Sequence, residues 1–120
     1  DNMNKISNIN NLNFEPYEVN DSYKEALVNI ANKYDFVRKI VASKCQVKGE
    51  EASHIFIGIK FKYSRQASKM MCEVGIELDN ALKSNITNKI DYEYVDITNA
   101  NTPFLSKLNE DKNVNVIYKK

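Results

Sequence analysis

An α+β fold with a mixed sheet follows from three observations along these 120 residues. The run from His54 to Tyr63 alternates, with Ile55, Ile57, Ile59, Phe61 and Tyr63 on one face, as strand side chains do with period two. Ala67, Met70, Met71, Val74, Gly75, Leu78, Ala81 and Leu82 then share one stripe of a helix. Ile90 to Ile97 alternates again, and a strand–helix–strand unit of this length requires parallel pairing with a right-handed crossover. An expected hairpin before the unit adds antiparallel pairing, so the sheet is mixed.

Residues 1–13 are rich in asparagine and poor in helix formers, and Ile6, Ile9 and Leu12 are too sparse to define a face. They are expected to form an N-terminal arm beside a single domain spanning 14–120. Phe14-Glu15-Pro16-Tyr17 marks the entry to order, since proline biases the residue before it towards extended backbone and the aromatic rings favour burial. Ser22-Tyr23-Lys24-Glu25 has capping-box spacing, which starts the first helix near Ser22. Tyr23, Ala26, Leu27, Ile30, Ala31 and Tyr34 form its apolar stripe. From Phe36 to Val47 the pattern fits either period, and the β-branched content favours a strand. Lys48-Gly49-Glu50-Glu51 is then a hairpin loop in which Gly49 supplies positive φ.

In the second helix, Gly75 is accounted for by a close approach of helix to sheet. Thr102-Pro103 resembles an N-cap followed by proline at the first helical position, opening a short helix through Leu105 and Leu108. Val114, Val116 and Tyr118 alternate as a last edge strand, whose terminal Lys119-Lys120 discourages further pairing. The order is helix, strand, strand, helix, strand, short helix, strand, with the two main helices chiefly on one sheet face.

Charge excludes several classes of function. Lys plus Arg number 17 against 16 Asp plus Glu, so no overall field steers the chain towards nucleic acid or an anionic membrane. Arg38 and Arg65 are the only arginines, which leaves few of the planar forks that read phosphate and guanine. No apolar run approaches the ~20 residues of a membrane span, and no basic stretch precedes an apolar one near the start. A soluble cytoplasmic protein with free Cys45 and Cys72 is expected. The chain begins at Asp1, which leaves a removed leader open.

Catalytic chemistry has few carriers. His54 is the only histidine, and a thiol-dependent enzyme would need it beside Cys45 or Cys72; Cys45 lies just across the expected hairpin. The plainer reading is a histidine at a strand start beside a buried cysteine. Cys45, His54 and Cys72 lack the paired spacing of structural zinc sites, and Gly49, Gly58 and Gly75 stand singly, so neither metal nor nucleotide cofactor is expected. Asp91 and Glu93 share one strand face and suit a cation or acid–base work, although a solvated strand face is the commoner arrangement. Tyr92 and Tyr94 share the other face with Ile90. If the helices cover only one side of the sheet, these rings become an aromatic contact surface; otherwise the N-terminal arm covers them. An apolar ligand pocket between the second helix and the sheet would read as ordinary core.

Several of these features together give residues 14–120 a resemblance to the C-terminal domain of the enhanced serine sensitivity protein SseB. They are Phe14-Glu15-Pro16-Tyr17, the helix with Ala26-Leu27 and Ile30, the strand His54 to Tyr63, the long helix leading to the acidic strand Asp91 to Ile97, and the tail Val116-Ile117-Tyr118-Lys119-Lys120. These 120 residues leave no room for that family's N-terminal domain, and proline and phenylalanine are missing just before Tyr118. The resemblance implies a small α+β module without catalytic residues. Related domains are similar to components of toxin and immunity systems, which implies a protein partner. The expectation is a non-catalytic protein-binding module, in its sharpest form an immunity or inhibitor protein whose partner is a toxin, that meets its partner through Tyr92, Tyr94, Asp91 and Glu93.

Overall fold

The computed structural model describes residues 12–87 and 90–120. Its elements are β1 (Leu12–Glu15), α1 (Asp21–Lys33), β2 (Val37–Val47), β3 (Ser53–Phe61), a 3-10 turn (Ser64–Gln66), α2 (Ala67–Asn85), β4 (Tyr92–Asp96), α3 (Thr102–Glu110) and β5 (Asn115–Lys119). The expected order is present, with β1 added in front. Leu12 and Phe14 of β1 are buried, so Leu12 and Asn13 of the expected arm belong to a strand, and the rest of that arm lies outside the described residues.

The five strands form one mixed sheet. β2 and β3 pair antiparallel across nearly their whole lengths, joined by a turn in which Gly49 adopts φ 91° as expected. β4 pairs parallel with β3, with Ile57 opposite Tyr94, after the α2 crossover. The other edge of β2 is shared. β1 pairs with its last four residues, Lys44 to Val47, and β5 with residues 39–42, so the first and last strands lie end to end. At their junction the Ser43 hydroxyl, fully buried, donates to the Asn113 carbonyl at 2.9 Å. The Asn113 and Asn115 amides donate to the carbonyls of Phe14 and Tyr17. These bonds satisfy backbone groups that would otherwise be orphaned where one strand stops and the other starts.

α1 begins two residues earlier than the capping box implied. Asn20 is the N-cap and accepts from the Tyr23 N–H at 3.0 Å, while the Ser22 hydroxyl donates to the same Asn20 oxygen at 2.6 Å. In α3 the cap is Asn101 rather than Thr102, accepting from the Phe104 N–H, with Pro103 in the first turn. In β5 a bulge opposite Ile40 and Val41 turns Ile117 inward and leaves Val116 exposed, reversing the expected alternation.

Both sheet faces are covered. α1 and α2 seat Tyr23, Leu27, Ile30, Met70, Val74 and Leu78 on Ile40, Ile55, Ile57, Ile59 and Phe61. α3 covers the opposite face, where Phe104 and Leu108 meet Phe14, Phe56, Val95 and Ile97. Each such fully buried side chain contributes about 1.5–3 kcal/mol. Helices on both sides explain why β3 is buried along nearly all of its length.

The close approach assigned to Gly75 belongs to Gly58. A Cβ on Gly75 would meet nothing within 4 Å, whereas one on Gly58 would lie 2.9 Å from Val41 Cγ2 and 3.1 Å from Ile97 Cγ2. Gly75→Ala is therefore expected to stabilise the domain by about 0.5–1 kcal/mol, read as a higher urea midpoint, because a helix-interior glycine costs entropy that packing here does not require. A lowered midpoint would show that this flank of α2 is tighter than drawn.

Candidate functional site

β4 is an edge strand, and the sheet geometry decides which of its groups look outwards. One side pairs with β3: the Ile55 N–H donates to the Asp91 carbonyl and the Ile97 N–H to the Ile59 carbonyl. In a parallel ladder alternate residues direct both backbone groups to the same side. Residues 91, 93, 95 and 97 thus face β3, and Tyr92, Tyr94 and Asp96 direct their backbone N–H and C=O groups to the other side. No strand among the described residues pairs there.

The tyrosine side chains take a different course from the expected open aromatic face. Both turn to the side covered by α1 and α2 and are half-buried. The Tyr94 hydroxyl donates to the Leu78 carbonyl of α2 at 3.0 Å and accepts from the Tyr23 hydroxyl at 2.6 Å. The Tyr92 hydroxyl lies 3.2 Å from that of Tyr17, and its ring meets Tyr23 edge-on at 5.7 Å. Burial, with neighbouring tyrosines, raises the pKa of Tyr17 and Tyr23 far above the ordinary phenol value, and burial lifts Tyr94 to about 12. These hydroxyls act as neutral hydrogen-bonding groups that fasten β4 to the helices.

Asp91 and Glu93 project to the opposite face, where they meet His54. The His54 ring has Nε2 at 2.9 Å from Glu50 Oε2, and Nδ1 at 3.5 Å from Glu93 Oε1 and 3.8 Å from Asp91 Oδ2. Its Nδ1 is buried without a hydrogen-bond partner. Burial raises the Glu93 pKa, and Glu50 and Asp91 add to this, outweighing the opposing pull of His54.

Cys45 stands directly opposite His54 in the β2–β3 register, so the hairpin proximity read from the sequence holds. Its chemistry runs the other way. Burial first, then the carboxylates Glu93, Glu15 and Glu50, push the Cys45 thiol up to about 12, whereas a nucleophilic cysteine needs surroundings that favour thiolate. Cys72 is exposed on α2. A disulfide reagent at pH ~8 is expected to modify Cys72 quickly and Cys45 only on unfolding; two fast thiols per chain would show that Cys45 is reachable. Among the described residues, no group of three or more His, Cys, Asp or Glu side chains is arranged to hold a metal ion. No helix among them is long and apolar enough to cross a membrane.

Beside the outer edge of β4 lies a hollow of about 260 Å³ lined by Ser68, Met71, Cys72, Tyr94 and Asp96. It lies between the second helix and the sheet, where the sequence left a ligand pocket open. α2 is oriented by its other flank, where Glu77 pairs with Lys33 of α1 at 2.9 Å. Helical spacing then sets Ser68, Met71, Cys72, Gly75 and Asp79 along the flank nearest β4. Sequence reasoning missed Cys72 and Asp96 as members of one groove. The available signal was a helix-interior glycine next to a Met–Met–Cys run. A wider groove of about 620 Å³ lies at the opposite sheet edge, between the β1–α1 connection and β5, and includes the exposed Val116. No family model matches the chain, and neither a curated protein nor a solved structure matches it.

Proposed function

We propose that this chain is a non-catalytic protein-binding module, in its sharpest form a cytoplasmic immunity or inhibitor protein that neutralises a cognate toxin. The observation that carries the reading is the outer margin of β4, where backbone groups directed away from β3 lie between a hollow and carboxylates. Exposed strand edges are ready templates for another chain. Of the residues expected to meet a partner, Asp91 and Glu93 contribute charge at this margin. Tyr92 and Tyr94 contribute backbone, their side chains being committed to the helices. The resemblance to the SseB C-terminal domain, itself part of the proposal, is in keeping with a small α+β module of this kind. The elevated Cys45 pKa weighs against the thiol-dependent alternative.

The test is a tagged pull-down from the native host lysate, including products of adjacent genes, with mass spectrometry at moderate salt. A single stoichiometric partner whose own activity falls when the purified chain is added supports the reading. Absence of any retained partner overturns it.

A further inference from the structure

The structure points to a specific mode of binding that rests on the protein-binding reading above. We infer that β4 takes up an extended partner segment of alternating basic and apolar residues, paired through its main chain to the outer edge, with an apolar side chain seated in the hollow beside α2.

Three independent features converge on this occupant. Tyr92, Tyr94 and Asp96 are the β4 residues whose backbone groups are directed away from β3, so the edge offers alternating donors and acceptors to an incoming strand. Because strand side chains alternate, those of an added strand fall on two different surfaces. On the α2 side they meet the hollow lined by Met71, Cys72 and Tyr94, with Ser68 and Asp96 at its polar margin, and on the same helix flank Gly75, where even a Cβ would touch nothing. This side suits an apolar residue. On the other side they meet Asp91, whose side chain is 77 % exposed, and Glu93. Among the described residues neither carboxylate pairs with a lysine or arginine; both lie only against His54. A basic side chain at alternate positions supplies the missing cation.

The experiment uses the full chain and an acetylated nonapeptide alternating valine and lysine, with a valine–glutamate peptide and a proline-interrupted peptide as controls. Hydrogen exchange is followed residue by residue by NMR. The expected result with the lysine peptide at ~1 mM is about tenfold slower exchange at the amides of Tyr92, Tyr94 and Asp96, with neither control peptide having an effect. Cys72→Trp fills the hollow from an exposed position and is expected to abolish the protection, and Asp91→Lys to weaken it; both folds are checked by their exchange in β2 and β3. Unchanged amides at β4, or equal protection by the glutamate peptide, overturn the inference. So does protection already present in the free chain: if it fades on dilution the occupant is a second copy, and if it does not the occupant is a segment of the same chain. A partner captured from lysate that leaves these three amides unaltered overturns this binding mode while leaving the protein-binding reading in place.

Discussion

Tyr94→Ala is expected to cost about 3–5 kcal/mol, a large share of the ~5–15 kcal/mol that holds a domain of this kind together. The loss has two sources. Removing the ring empties the space between β4 and α2, where Tyr94 packs against the larger core. Removing the hydroxyl leaves the fully buried Tyr23 with its donor unmatched, because Tyr23 gives its proton to Tyr94, which gives its own to the Leu78 carbonyl. Tyr94→Phe isolates the second source and should cost about 1–3 kcal/mol, the penalty for a stranded buried donor. Tyr23→Phe should cost less, since Tyr94 keeps its bond to Leu78. Urea unfolding of the three variants checks the order; equal losses for the two phenylalanine variants would sever the chain of donors drawn here. The same hydroxyls set an alkaline limit. The Tyr94 pKa is raised from 10.0 to about 12 in the folded state, so its contribution is complete below pH 10 and disappears as pH climbs through 12. Tyr17 and Tyr23 shift in the same direction.

Gly58→Ala carries the second large effect, a loss of about 1–3 kcal/mol from overpacking. The added methyl would lie 2.9 Å from Val41 Cγ2, 3.0 Å from Phe56 Cε1 and 3.1 Å from Ile97 Cγ2. Val41 and Ile97 are β-branched and hold few alternative rotamers, so the neighbours cannot easily withdraw. Val41 is also the strand partner of Gly58 in β2, and Val95 its partner in β4, so any backbone shift is felt on both sides. The same substitution at Gly75 should have the opposite sign. Measuring both in one denaturant series makes the contrast internal; two variants that move together would mean that the distinction between the crowded and the open glycine is wrong.

Much of this architecture was legible in local pattern. The alternation of His54 to Tyr63, the stripe of Ala67 to Leu82 and the crossover to Ile97 specify β3, α2 and a parallel β4 because each signal lies within one element. Gly49 declared its turn for the same reason. What stayed hidden depends on partners distant in the chain. Period two placed Tyr92 and Tyr94 on a common face, yet which face the helices cover is set by how α1, α2 and α3 distribute over the sheet. Of the three side chains that crowd Gly58 only Phe56 is near in sequence; Val41 and Ile97 come from distant parts of the chain, and no local pattern announces them. β1 pairs with distant residues, Leu12 with Val47 and Glu15 with Lys44, and its short alternation of Leu12 and Phe14 is masked by asparagines. Asn20 was lost as a cap in the same background. The groove beside β4 emerges only after the strand order puts β4 at the margin, which no local pattern encodes.

The shared edge of β2 also bears on the order in which the chain assembles. The β2–β3 hairpin joins residues close in sequence and closes a short loop, whereas β5 must find β2 across some seventy intervening residues, with Asn115 meeting Ala42. During synthesis β5 follows every other described element, so a nascent chain holds the hairpin, α2 and β4 while half of one β2 edge waits uncovered. That interval leaves Ile40 and Val41 beside an unfilled strand position, a hazard for pairing between neighbouring chains that ends only when the last strand docks.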